Sequence, residues 1–455
     1  MRIILVGDGK VGHTIAQHLT AEGHDVVIID EEDEPLRRSS DTLDVICVRG
    51  NATNAKTLLD AQANKADILI ATTATDETNM LCCMMAKQLG TPYVISRIRN
   101  PEYTESLTML QKDLGIDMIV NPDRMTAFEI SRLLRYPFAS NIESFAKGRV
   151  EMVEFRAQEN DVMVGVPLSV LGKHKMGLPH VLYAVIDRDG EVIIPDGSFV
   201  IQPGDRVHVA ADMLTITSYF RYLGRNSLRI KNVMLLGGGR ISYYLAKMLC
   251  PLGIKVNIIE INEAKCDMLS EQLPEANIIF GDGTDQELLE QENLTQMDAF
   301  VALCDRDEEN LLTGLYAARE GIPKVIVKNS RTSYAEIISS LGLDSVVSPR
   351  FITSSTILRY VRGRSNGAHS SKVERLYRMI NGEVEALEFI ARADDPFINI
   401  PLKDLKTTSG TLIAVIVRHG HVITPFGNDH IEPKDSVVVL SRKLGIKDLS
   451  EVIHK

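Results

Sequence analysis

A chain of 455 residues is too long for one ordinary core, and domains of usual size make about three or four the starting expectation. The formal net charge of −11 repels phosphate backbones and excludes wholesale nucleic-acid binding. Frequent glycine and an absence of Trp suit an aliphatic α/β protein, and no apolar run approaches the roughly 18 uncharged residues that span a bilayer, so any membrane role goes through a partner.

The first predicted strand runs from Arg2 to Val6 and enters Gly7-Asp8-Gly9-Lys10-Val11-Gly12. It starts a fold motif at the first residues, and is read as such rather than as a signal peptide. A helix over 10–21 follows, Gly23 ends it, and a strand over 26–29 delivers Asp30. Strand, G-x-G-x-x-G, helix, strand and acid make up the dinucleotide fingerprint. Gly7 permits the tight turn, Gly9 lets backbone N–H groups approach a pyrophosphate, and Gly12 lets helix and strand pack closely. The helix N-terminus adds a partial positive charge for phosphate. Asp30 is the acceptor expected for ribose hydroxyls and favours NAD over NADP. A loop of this form that binds nothing is the competing reading. Lys10 has two readings, a phosphate contact or a solvated lysine.

Further strand ends should line the same crevice. Gly50 and Asn51 end the third strand, Thr72, Thr73 and Ala74 the fourth, and Arg97 the fifth. Asn51 and Thr73 are candidates for adenine or the far half of the cofactor, and Asn51 reads equally well as a helix-capping turn residue. Arg97 is a candidate clamp for phosphate or for an acid from another subunit.

Near residue 151 the rhythm changes to short strands, with a hairpin over 181–194 turning at Asp187-Arg188-Asp189-Gly190. The plan then repeats. Val233 to Gly239 parallels Ile3 to Gly9, and Val256 to Glu260 parallels Val26 to Asp30. Gly281-Asp282-Gly283-Thr284-Asp285 matches Gly50 to Asn54, and Asp307-Glu308-Glu309-Asn310 matches Asp76-Glu77-Thr78-Asn79. The nearly constant offset marks a tandem duplication. The second loop, Gly237-x-Gly239-x-x-Ser242, lacks the third glycine, while Glu260 keeps the ribose acceptor and Lys328 replaces Arg97. A second nucleotide site and a purely structural duplicate both fit.

The predicted fold class is therefore α/β: two tandem Rossmann-like, doubly wound parallel-sheet domains, each followed by a small α+β domain. The expected domains are 1–140, 141–225, 229–362 and 372–455. Linkers are expected at Ser140 to Gly148, Leu223 to Leu228 and Gly363 to Ser371. The six cysteines form no C-x-x-C pair and read as buried thiols of a reducing cytosol. The histidines show no metal-ligand spacing, so no metal site is expected. Tyr243-x-x-x-Lys247 imitates a dehydrogenase pair but follows the glycine loop directly, and reads as ordinary helix surface. With no proton-transfer group in place, binding without turnover is the simpler reading; a soluble NAD-dependent oxidoreductase is the alternative.

These residues resemble the RCK family of potassium-conductance regulators, built from TrkA-N and TrkA-C domains, and most closely its TrkA branch, the regulatory subunit of Trk potassium uptake. The likeness rests on the glycine motif with Asp30, Asp76-Glu77-Thr78-Asn79-Met80, Arg97-Ile98-Arg99-Asn100-Pro101-Glu102, Gly281 to Asp285, Pro203-Gly204-Asp205 and the diverged Pro433-Lys434-Asp435, and it covers the whole chain. The resemblance implies a cytoplasmic protein, peripheral on the inner membrane face, assembled as a homo-oligomeric, tetrameric ring on a Trk-type potassium-translocating integral membrane subunit. It implies NAD (NAD+ or NADH), and in relatives ATP or ADP, in the crevice. Implied cofactor-binding residues are Gly7, Asp8, Gly9, Lys10, Val11, Asp30, Asn51, Thr73, Ala74 and Arg97, with Gly237, Gly239, Glu260 and Asp282 in the second half; no catalytic residue is implied.

Overall fold

The first sheet is built from short apolar runs buried on both faces, the pattern of parallel strands covered by helices. In the computed structural model its elements follow in strict alternation. They are β1 (Arg2–Val6), α1 (Lys10–Ala21), β2 (Asp25–Asp30), α2 (Asp33–Thr42), β3 (Val45–Arg49), α3 (Ala55–Asp60), β4 (Ile68–Ala71), α4 (Asp76–Leu89), β5 (Tyr93–Arg97), β6 (Met118–Val120) and α5 (Pro122–Arg135). The strand order is β3-β2-β1-β4-β5-β6, all parallel, with the reversal between β1 and β4 that defines a Rossmann crevice. The structure describes residues 1–103, 106, 109, 111, 113–171, 177–225, 230–330, 343, 345–365, 373–379, 383–442, 445, 446 and 448–454.

An antiparallel sheet follows: β7 (Asn141–Phe145), β8 (Val150–Arg156), the short helix α6 (Leu168–Leu171), β9 (Leu182–Arg188), β10 (Glu191–Ile193), β11 (Arg206–Asp212) and then α7 (Met213–Tyr222). The expected linker over 140–148 is corrected here. Asn141–Phe145 pairs with β8 along its length and buries Ile142 and Phe145, so it is an edge strand whose polar alternation imitates a loop.

The second half repeats the plan with β12 (Asn232–Leu236), α8 (Arg240–Leu249), β13 (Lys255–Glu260), α9 (Glu263–Gln272), β14 (Asn277–Phe280), α10 (Gln286–Gln291), β15 (Ala299–Ala302), α11 (Asp307–Arg319), β16 (Lys324–Lys328), β17 (Ser345–Val347) and α12 (Pro349–Ser365). Its sheet has the same order, β14-β13-β12-β15-β16-β17. Residues 363–365, the start of the linker expected over 363–371, lie inside α12; residues 366–371 of that linker and 226–228 of the one expected over 223–228 lie outside the described residues. The last sheet contains β18 (Val373–Met379), β19 (Val384–Ile390), β21 (Thr411–Arg418), β22 (His421–Ile423) and β23 (Ser436–Ser441), with a separate pair formed by β20 (Lys406–Thr407) and β24 (Ile453–His454).

Two compact units result. The first holds Met1–Phe128, Gly239–Leu245 and Ser348–Val361. In it, α12 lays Ile357, Leu358 and Val361 into the core of the first sheet beside Ile3, Leu5, Ile15 and Leu19. The second holds Glu129–Gly238, Ala246–Val347 and Arg362–Lys455. Here the two small sheets share one apolar core, with Met152, Val185 and Ala210 against Ala386, Val415 and Val438.

The duplication extends to turn chemistry. Arg188 donates two 2.8 Å bonds to the Asp205 carboxylate, and Arg418 grips Asp435 in the same way. Gly204 of the first copy has φ +92°, whereas Lys434 holds φ +73° at the matching place in the second. A side chain in that left-handed region is strained. Lys434→Gly is expected to raise stability by about 1 kcal/mol, read as a higher urea midpoint; a lower midpoint contradicts the strain.

Candidate functional site

The first crevice lies beyond the carboxyl ends of β1 and β4, the neighbours at which the strand order reverses. Gly7, with φ +93°, donates its N–H to Ile29 O at 2.8 Å, and Thr72 Oγ1 closes on the carbonyls of Val6 and Gly7. A Cβ on Gly7 would lie 2.9 Å from Thr73 N, and one on Gly12 only 1.9 Å from Gly7 O. Both positions are therefore closed to side chains. Gly9 is the opposite case: nothing lies within 4 Å of where its Cβ would be. It is also the N-cap of α1, makes no side-chain cap bond, and is followed by a first turn without acidic residues. An uncapped helix start above open space is a cradle for an anion.

Asp30 closes the inner wall. Its Oδ2 accepts from Asp8 N at 2.6 Å and its Oδ1 from Glu32 N at 3.0 Å. The carboxylate is thus oriented by backbone amides at the strand end, where a ribose diol would meet it. Lys10 is exposed beside the loop and Val11 is half-buried.

The remaining candidates divide into two groups. Thr73 and Ala74 sit at the crevice floor, and Arg97 donates from Nη2 to Thr73 O while its buried Nε has no hydrogen-bond partner. Arg97 thereby braces the floor from below. Burial, with Arg99 nearby, lowers its proton affinity. Asn51 is spent differently: its Oδ1 accepts from Thr53 N at 2.7 Å and Thr53 Oγ1 at 2.6 Å, the turn reading. Asp282 repeats this with Thr284 at 2.9 and 2.7 Å.

The residue missing from the expected set is Asn79. It is fully buried on α4. Its Oδ1 accepts from Thr73 N and Thr73 Oγ1, both at 2.7 Å, and its Nδ2 donates to Arg97 O at 2.9 Å. One amide thus ties the end of β4 to the end of β5. Asn310 does the same in the second half, bonding Cys304 N, Cys304 O and Lys328 O at 2.8, 2.9 and 3.0 Å. The signal was in view: both are the last residue of the repeated acidic tetrapeptide.

In the second half, Glu260 Oε2 accepts from Gly238 N at 2.8 Å and Oε1 from Asn262 N at 2.9 Å, so the carboxylate–loop bond survives duplication. Lys328 donates to Leu303 O at 3.1 Å, taking Arg97's bracing role. Nothing lies within 4 Å of a Cβ built on Gly239, which matches Gly9. Ser242, at the third glycine's place, is fully buried.

Tyr243 and Lys247 lie on α8, immediately after that loop. Burial pushes the Cys82 thiol to about 12 and Cys304 to about 11, with Cys83 raised further. Among the described residues no group of three His, Cys, Asp or Glu side chains is arranged to hold a metal, and no helix is long and apolar enough to cross a membrane.

Comparison with known proteins agrees with this geometry. The TrkA-N domain model matches residues 3–122 and 233–349, and the TrkA-C domain model residues 152–224 and 386–454. The Trk system potassium uptake protein TrkA of Vibrio alginolyticus is 35% identical over 463 aligned positions, covering 100% of this chain and 99% of that one. The TrkA homolog of Archaeoglobus fulgidus is 32% identical, with 100% of each covered. In fold, the chain resembles the GsuK RCK domain (TM-score 0.63, 15% identity, 97% of this chain and 92% of that one). It also resembles the GsuK channel bound to NAD (TM-score 0.62, 15% identity, 97% and 76% covered). The chain belongs to the TrkA family of potassium uptake proteins, with TrkA-N and TrkA-C domains each present twice.

Proposed function

We propose that this chain is a nucleotide-sensing regulatory subunit that gates a Trk-type potassium-translocating membrane protein without catalysing a reaction. The observation that carries this reading is the uncapped start of α1 at Gly9, open above and flanked by Asp30. The family's potassium uptake name and a fold neighbour described as NAD-bound support it.

In this reading the amides of Gly9, Lys10 and Val11 hold the diphosphate, Gly7 and Asp8 shape the turn beneath it through their own bonds to Ile29 and Asp30, and Asp30 takes the ribose hydroxyls of NAD+ or NADH. Thr73 and Ala74, braced by Arg97 and Asn79, form the floor. ATP and ADP present the same diphosphate and ribose and compete for the same cradle. The second half offers Gly237, Glu260 and Asp282 to a second nucleotide. Copies of the chain form a ring, tetrameric in this proposal, on the cytoplasmic face of the membrane subunit. A ligand that favours one ring shape shifts the pore by its difference in affinity for the two shapes.

Asp30→Ala is expected to weaken NADH binding by a few-fold to a hundredfold, or about 1–3 kcal/mol, in calorimetric titration. Unchanged affinity removes Asp30 from the site. Pulldown of the tagged chain from detergent-solubilised membranes, repeated with NAD+, NADH, ATP and ADP, tests the partner. Recovery of a potassium-translocating protein, in a yield that depends on nucleotide, supports the reading; recovery of none contradicts it.

A further inference from the structure

The second residue of the first glycine loop is an aspartate that phosphate binding does not require. Asp8 is fully buried beneath the loop. Its Oδ2 accepts from Ser39 Oγ at 2.6 Å, and Ser39 Oγ in turn lies 2.8 Å from His13 Nδ1. The other oxygen, Oδ1, has no hydrogen-bond partner and lies 3.7 Å from the same imidazole nitrogen. With Ser39 donating to Asp8, His13 must donate from Nδ1. The result is a continuous chain, His13 Nδ1–H to Ser39 Oγ–H to Asp8 Oδ2, joining α1, α2 and the loop. His13 is 17% exposed and is its opening to solvent.

We propose that nucleotide binding at the first crevice is coupled to uptake of one proton by the Asp8–Ser39–His13 chain, so that the site holds its diphosphate more tightly as pH falls. This rests on the nucleotide reading above. A buried carboxylate one residue from Gly9 opposes a diphosphate. One proton from solvent, on His13 or on the free Asp8 oxygen, brings the net charge of the chain from −1 to zero and removes that opposition. By linkage, a bound diphosphate must raise the proton affinity of the same groups.

The charged and titratable surroundings agree. Burial raises the Asp8 carboxyl above its usual range against the lowering effects of Ser39, His13 and Arg38, while nearby Asp30 adds to the rise. Burial and Arg38 lower His13, and Asp8 opposes them. Arg38 of α2 also donates to Asp8 O at 3.0 Å. From β3, the Cys47 thiol donates to Leu36 O at 3.4 Å, and burial and the nearby Asp8 charge both keep it protonated. Asp8 is thus shifted toward holding a proton, while His13 gives its own up more readily, and acid strengthens binding.

The duplication supplies an internal control. The second half has Gly238, Tyr243 and Leu269 at the places of Asp8, His13 and Ser39, and a Cβ on Gly238 would lie 2.6 Å from Leu269 Cδ1. The chain of groups belongs to the first crevice alone.

Calorimetric titration of the full-length protein with NADH between pH 5 and 8, in buffers of low and high ionisation heat, counts the protons taken up. Affinity is expected to rise on acidification, by up to about tenfold per pH unit, with uptake approaching one proton. Asp8→Asn, nearly isosteric, should remove most of the slope and uptake. His13→Asn keeps a donor near Nδ1 but cannot titrate, and should reduce both. A pH-independent affinity in the wild type, or an unaltered slope in Asp8→Asn with an unchanged circular dichroism spectrum, overturns the coupling while leaving the nucleotide reading intact. No binding at any pH overturns both.

Discussion

Gly12→Ala is expected to abolish nucleotide binding at the first crevice and to destabilise the first unit by about 1–3 kcal/mol. The added Cβ would stand 1.9 Å from Gly7 O and 3.3 Å from Thr72 Oγ1. The neighbour at 1.9 Å is backbone, so the loop itself must move, and its amides lose the phosphate. Gly9→Ala separates fold from binding. Its Cβ enters open space at an ordinary φ of −69°, so stability should stay within about 0.5 kcal/mol while NADH affinity drops. Thermal unfolding and calorimetry on the pair decide the matter. If Gly12→Ala binds NADH as the wild type does, the loop is not the phosphate cradle; if Gly9→Ala does, ligand does not approach there.

Asn79→Ala is the second large effect. It strands the half-buried Thr73 N–H and Arg97 C=O, each worth about 1–3 kcal/mol when left unpaired out of water's reach. A loss of about 3 kcal/mol is expected in urea unfolding, together with faster amide exchange at Thr73. Nucleotide affinity should fall with it, because the crevice floor loses its tie to β5. Asn310→Ala is expected to cost a similar amount through Cys304 and Lys328. A loss below about 1 kcal/mol in both variants shows that the strand ends are held by other means.

What was legible in the sequence was local. The glycine loop, Asp30 and the repeat are short, ordered patterns whose meaning depends on a few neighbouring residues. The family followed from several of them together. Asn79 was visible as a repeated letter but not as a tie, because its partners Thr73 and Arg97 come from two different strand ends. The Asp8, Ser39 and His13 contacts were hidden for a similar reason: they join residues on three elements. Asn141–Phe145 reads as a linker because an edge strand keeps polar side chains at its half-buried positions, here Asn141, Glu143 and Ser144. At Asn51 and Asp282 the structure adds what position alone did not show: one side-chain oxygen of each closes its own turn.

The seating of Ile357, Leu358 and Val361 against Ile3, Leu5 and Ile15 constrains the birth of the protein. A ribosome finishes β6 at Val120 long before it reaches Pro349, and at about 5–20 residues per second the gap is tens of seconds. Throughout that interval the nascent first sheet carries a bare greasy flank. Translation halted near residue 230 should leave a fragment that binds hydrophobic dyes and recruits chaperones, whereas the finished polypeptide hides the flank with its own late helix.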